Sequence, residues 1–385
     1  MQRSIKRHFF WVLLLMLGSC IEPYQHEVIQ MPNNYLVVDG FINTGNGPTT
    51  FKLTRTQNLG DDENPRNETG ATVTIEEEGG ARFSLKETGA GVYSINTIPV
   101  NPTKRYRLHI KTSKTRAYIS DFVPVKMTPA IDALTWEAEP DGLQLQVSTH
   151  DPQDNTRYYR WDFEETWEFT ASERATGEVV GDTIVRRTAE SENIYQCWRT
   201  EPSTSIKIGT SSRYNQDLIS KFPLQKLAPS SEKLRIGYSI LVKQYAQTQE
   251  AYAYWEALKK TTESVGGLFD PLPSQFKGNI RSVADSQEPV IGFLSAYSVE
   301  QKRLFIGRQE LPQQWYMPPP LCQGDSATVS METAIGYVKN NDPYWGLKGA
   351  VYGELNKLEG YKVKYKGCVD CRIYGTNVKP EFWPQ

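Results

Sequence analysis

The chain has 385 residues, with 43 Lys and Arg against 45 Asp and Glu and a formal net charge of -2. Charges that nearly cancel leave no electrostatic footprint for nucleic acid, and the length suits two or three domains of about 100 to 200 residues each. Tyrosine (21) and tryptophan (9) are plentiful, which favours strands and also stacking surfaces for sugars or peptides.

At the N-terminus Arg3, Lys6 and Arg7 precede an apolar run from Phe9 to Leu17, the order of an export signal. A bilayer span needs roughly 20 apolar residues, more than this run supplies. Leu17-Gly18-Ser19-Cys20 resembles the bacterial lipobox, whose cysteine is acylated and becomes the new N-terminus. The expectation is a signal over 1–20, a lipid anchor on Cys20 that holds the chain to a bilayer, and a tether over 21–34.

From Tyr35 the pattern becomes short β-type runs split by Gly, Asn and Pro. Tyr35–Val38, Thr49–Thr56, Ala71–Glu77, Arg82–Lys86, Val92–Asn96, Tyr106–Thr112 and Ala117–Phe122 predict an immunoglobulin-like β-sandwich over 35–123. The polar break 57–70, with Asp61, Asp62 and Glu63, reads as a solvated loop. Pro124 and Pro129 bracket a stiff piece, so a linker is expected over 124–129.

A second β-rich, sandwich-like domain is expected over 130–312. Its most telling strand runs from Tyr158 to Phe169, where Tyr159, Trp161, Phe163, Trp167 and Phe169 share one face, broken by Glu165. Tyr158, Arg160, Asp162, Glu164, Thr166 and Glu168 take the other, charged face. Further strands are predicted at 183–187, 194–198, 205–208 and 234–242. One amphipathic helix follows over 248–265, with Thr248 as N-cap, Ala251, Trp255 and Leu258 on its apolar stripe, and Gly266-Gly267 as its stop. Residues 290–297 and 303–306 read as a hairpin-like pair.

The remaining segment, 313–385, is expected to pack on the second domain. Setting Cys20 aside leaves Cys197, Cys322, Cys368 and Cys371, an even set that reads as disulfides with three pairings open. Cys368-Val369-Asp370-Cys371 has redox or zinc spacing, yet it follows the alternating run 361–365 and has no histidine ligands at matching spacing. A disulfide-stapled C-terminal segment is therefore expected. Trp315 and Tyr316, and Tyr344 and Trp345, stand out as possible ligand contacts, with a peptide or glycan as the ligand.

The sequence has no zinc-protease, nucleophile-elbow, phosphate-loop or dinucleotide motif, and the reading calls for no catalytic residue, metal or cofactor. Ser230 with Lys233 and Ser274 with Lys277 fit a bare Ser-x-x-Lys that is common by chance. Asp162, Glu164 and Glu168 could supply a glycosidase carboxylate pair, although a solvated strand face explains the same letters. Asp151, Asp154 and Asn155 read as a turn rather than a calcium loop. Asp182-Thr183 and Asp325-Ser326 match a short bacterial O-glycosylation acceptor.

Several blocks in order carry a resemblance to a family: residues 36–40, 70–73, 161–169, Cys197-Trp198, 238–245 with 250–252, 266–270, 278–280 and 368–372. Together the chain resembles the family called domain of unknown function 4249, traced from the lipobox to the last residues. The resemblance implies an outer-membrane lipoprotein of Bacteroidetes-type bacteria, often associated with TonB-dependent transporters, and carries over no catalytic residue. The function expected is that of a non-catalytic binding or accessory subunit of such a β-barrel transporter. A structural or assembly lipoprotein of the envelope, or a glycan-acting hydrolase, are the alternatives.

Overall fold

The computed structural model describes residues 34–57, 66–263, 278–315 and 321–384. The signal, Cys20, the tether as far as residue 33, Asp61 to Glu63, Gly266-Gly267, Ser274 with Lys277, and Tyr316 lie outside the described residues. The protein is mostly β, in several sheets.

The first unit opens with β1 (Leu36–Asn43), β2 (Thr49–Arg55), β3 (Thr72–Glu77), β4 (Arg82–Ser84) and β5 (Lys86–Gly89). It continues with β6 (Val92–Ile95), β7 (Arg105–Lys111), β8 (Ala117–Ser120) and β9 (Val123–Lys126). Alternation decides the inner face: Leu36, Val38, Phe51, Leu53, Val73, Ile75, Leu108 and Ile110 are buried in one core. The strands form a sandwich-like, near-barrel sheet.

The second unit begins with β10 (Ile131–Glu139), β11 (Gly142–His150), β12 (Tyr158–Thr170), β13 (Gly177–Val180) and β14 (Thr183–Arg186). Next come β15 (Gln196–Pro202), β16 (Lys207–Thr210), β17 (Leu218–Leu227) and β18 (Gly237–Ala246). The sheet β10-β11-β17 faces the sheet in which β12 lies between β15 and β18, and their side chains share one core around Trp161 and Trp167. Trp161 Nε1 donates to Gln244 Oε1 at 2.8 Å, and Gln244 in turn donates to Pro129 O and Thr149 Oγ1. Trp161, Gln244 and Thr149 are thus linked through their buried polar atoms.

Helix α1 (Gln249–Glu263) follows, and Ala251 N donates to Thr248 Oγ1 at 3.2 Å, the cap expected from the sequence. The chain then returns to the first unit through β19 (Ile280–Ser282), β20 (Val290–Ile291) and β21 (Ala296–Tyr297). β19 pairs with β8, while β20 and β21 run parallel to β1. β21 also pairs with β9, so the expected linker at 124–129 starts inside a strand that holds Pro124. The expected boundary of 130–312 is crossed for the same reason, and the expected hairpin of 290–297 with 303–306 does not form. β22 (Val299–Gly307) instead pairs with β18.

The alternation of β12 is broken in both directions. Arg160, expected among exposed charges, is buried where the two units meet. Its guanidinium lies 4.2 Å from the Trp255 ring centre and 4.6 Å from that of Tyr245, and it pairs with Asp162 at 3.1 Å. Tyr245 packs on Tyr297 and Phe41 of the first unit, so aromatic rings and one cation fill the joint.

The C-terminal segment contains β23 (Ser326–Val329), helix α2 (Met331–Lys339), β24 (Trp345–Tyr352), β25 (Leu358–Tyr365) and the one-turn helix α3 (Lys366–Val369). β25 is the centre of a three-stranded sheet. The sequence reading missed α2, in which only Ala334 is buried, so no apolar stripe announces it.

Candidate functional site

Disulfides join Cys322 to Cys368 and Cys197 to Cys371, which settles the pairing that the sequence left open. The two cysteines of the Cys-x-x-Cys run therefore have different partners, one within the C-terminal segment and one on β15. α3 and the turn after it are fastened to the second unit, as expected for a stapled segment.

Against this staple lies a cleft of about 600 Å³, a volume suited to a small ligand. One wall is the end of β12 with Trp167, Phe169 and Thr170, joined by Arg199 of β15 and by Glu232 and Arg235 before β18. The opposite wall is Leu321, Gln323, Gly324, Tyr344, Tyr365, Gly367, Cys368 and Tyr374. Two glycines let this wall close up: a Cβ on Gly324 would meet Tyr365 Cβ at 2.0 Å, and one on Gly367 would meet Tyr374 Oη at 2.3 Å.

Behind the Trp167 wall the electrostatics start from Glu165, which does not line the cleft and is the residue that interrupts the apolar face of β12. It is buried, with Tyr238 Oη donating to it at 2.8 Å and Lys233 Nζ at 2.8 Å. Burial, and then the Glu165 carboxylate, hold the Tyr238 phenol well above its ordinary pKa. Lys233 also reaches Glu201 at 3.5 Å, and Glu201 pairs with Arg199. Lys233 Nζ lies 4.6 Å and the Arg199 guanidinium 5.5 Å from the centre of the Trp167 ring.

On the opposite wall the hydrogen bond with Tyr365, then burial, raises the Tyr374 phenol, and the bond to Asp325 raises that of Tyr344. Tyr344 Oη donates to Asp325 Oδ2 at 2.7 Å, and its ring meets Trp345 edge-on and Tyr365 at a tilt. Both phenols are neutral at pH 7, so the wall offers rings and hydroxyls rather than charge.

Of the expected contacts, Tyr344 lines the cleft and Trp345 is half-buried beside it, stacked on Tyr337. Trp315 is not available as expected: its side chain is 7% exposed and belongs to the core of the second unit, because the chain dips inward after Leu311. Arg199, Arg235, Tyr365 and Tyr374 were not singled out by sequence. Tyr365 and Tyr374 flank the Cys-x-x-Cys run three residues away on either side, which was the available signal.

Each of the suggested carboxylates has a partner of its own. Asp162 pairs with Arg160 at the joint, Glu164 pairs with Lys243, and Glu168 accepts from Gln196 Nε2 at 2.6 Å. Asp151 accepts from Gln153 N, Asn155 N and Thr156 Oγ1, and Asp154 accepts from Asp217 N, the hydrogen bonding of a turn. Lys233 is committed to its carboxylates. Thr183 and Ser326 are both exposed, while Asp182 pairs with Lys339. Among the described residues no group of three or more His, Cys, Asp or Glu side chains could hold a metal ion. No helix among them is long and apolar enough to cross a membrane.

The fold and cleft define a class: a β protein of two sandwich-like units whose C-terminal segment is fastened by disulfides against an aromatic cleft. The chain belongs to the family described as Domain of unknown function (DUF4249), which matches residues 21–303. The matched stretch is shorter than the resemblance traced in the sequence and leaves Cys322, Cys368 and Cys371 beyond it. None of the curated proteins matches the chain.

Proposed function

We propose that this chain is a lipoprotein held at the outer membrane through Cys20. It acts there without catalysis, as a binding or accessory subunit of a TonB-dependent β-barrel transporter in nutrient capture or uptake. The observation that carries the reading is the cleft, whose walls are aromatic rings and guanidinium groups fixed by hydrogen bonds, ion pairs and a disulfide. Rings and fixed cations bind flat or anionic ligands. The Leu17-Gly18-Ser19-Cys20 sequence supports the anchor, and the family resemblance suggests the transporter partner.

The test is mild detergent extraction of the affinity-tagged full chain at native expression, followed by identification of what accompanies it. A β-barrel recovered in near-equal amount is the expected result; recovery of the chain alone overturns the proposal.

A further inference from the structure

Two cations, Arg199 and Arg235, line the cleft, and a third, Lys233, lies 4.6 Å from the ring centre of its Trp167; their surroundings differ. Lys233 is paired with Glu165 and Glu201, and Arg199 with Glu201. Arg235 has no carboxylate partner among the described residues. Its Nη2 donates to the neutral Thr170 Oγ1 at 2.8 Å, and the side chain is half-buried beside Phe169 and Trp167. Glu232, which also lines the cleft, is exposed and forms no ion pair with Arg235. A guanidinium carries five donors in a planar fork, so most of those of Arg235 remain for a bound anion.

Charge and shape narrow that anion. One guanidinium without a carboxylate partner neutralises a monoanion, whereas a dianion such as a phosphate monoester would leave a second negative charge uncompensated on the rim that carries Glu232. The fork matches a carboxylate bidentately, and Phe169, Tyr344 and Tyr365 supply ring surface within the same cleft. We infer that the cleft takes a small monocarboxylate bearing a planar apolar group, with its carboxylate on Arg235 and its planar group against the aromatic wall. The inference rests on the reading of the cleft as a binding site and adds the class of ligand. A short peptide with an aromatic C-terminal residue and a free aromatic acid both have this chemistry.

The test is calorimetric titration of the full chain in mild detergent with three probes: acetyl-Gly-Gly-Phe as the free acid, the same peptide as its C-terminal amide, and 2-naphthoate. The acid should bind at least about 10-fold more tightly than the amide, the usual scale for a hydrogen bond to a charged group. Arg235→Gln should weaken the acid by a similar factor and leave the amide unchanged. Tighter binding of the peptide acid than of naphthoate assigns a peptide source, and the reverse order a free aromatic acid. Equal affinity for acid and amide, an unchanged acid affinity in Arg235→Gln, or no binding of either carboxylate at millimolar concentration overturns the inference. The acid and amide comparison uses the unaltered chain, so it decides even where the variant fails to fold. Loss of the acid preference with a barrel still co-purifying removes only this inference; retention of it with no barrel removes only the transporter reading.

Discussion

The first unit and the C-terminal segment hold themselves together by different means. Residues 36–126, completed by 280–297, gather Leu36, Phe51, Val73, Tyr93 and Leu108 into one continuous core with no disulfide. Residues 321–384 bury only small separate clusters: Ala334 with Leu347, Tyr361 and Val363; Cys368 with Val369; and Cys371 against Cys197 and Ala171. A short segment cannot bury enough apolar surface to fix its own position, and crosslinks and ion pairs take over that task. The cleft lies on the boundary between the two regimes, so one wall is set by packing and the other by staples.

The largest effect that would sharpen this contrast is in the first core. Phe51→Ala should cost about 3–5 kcal/mol, since the ring is fully buried, and urea unfolding should show the same loss with and without reductant. A loss seen only after reduction would break the contrast. Next, replacing Cys322 and Cys368 by Ser opens a crosslink between residues 46 apart in sequence and should cost about 2–4 kcal/mol. Limited proteolysis should then cut within 321–384 first, leaving the first unit intact; simultaneous digestion of both would contradict it.

The smallest effect is electrostatic. Glu173 accepts hydrogen bonds from Lys364 and is 2.9 Å from Lys348, which fastens β25 and β24 to the loop after β12. The bonds to Lys364 and then Lys348 hold its pKa below the ordinary 4.5. Its contribution is therefore complete above that value and fades as pH falls through the lower, folded-state value. Hydrogen exchange in β24 and β25 should accelerate in that acid window before exchange in β1 to β9 does. Glu173→Gln should flatten the dependence; an unchanged acid response would show that the pair contributes nothing there.

How much was legible follows from what each element needs. Strands with strict alternation and a clear turn, such as those of Thr49–Arg55 and Tyr158–Thr170, declare themselves because one face is buried along their length. Thr248 marks its helix by a local hydrogen bond. The two-residue strands Val290–Ile291 and Ala296–Tyr297 have no period to read, and their partner β1 lies about 250 residues earlier. Arg160 and Glu165 look like ordinary charges in the sequence. Their burial depends on Tyr245, Trp255, Tyr238 and Lys233, which arrive from other elements. The cleft was legible only at Tyr344, because its other wall is brought there by the Cys197–Cys371 crosslink between residues 174 apart in sequence.

The parallel arrangement of β1, β21 and β9 has a mechanical consequence. Tension applied upstream of residue 34 enters the first unit at the start of β1 and leaves for the second at the far ends of β9 and β21. Entry and exit at opposite ends of parallel strands load the shared hydrogen bonds together, in shear along the strand axis, rather than one after another. The first unit is therefore built to resist a pull from its N-terminal side and to pass that load on to the unit that bears the cleft.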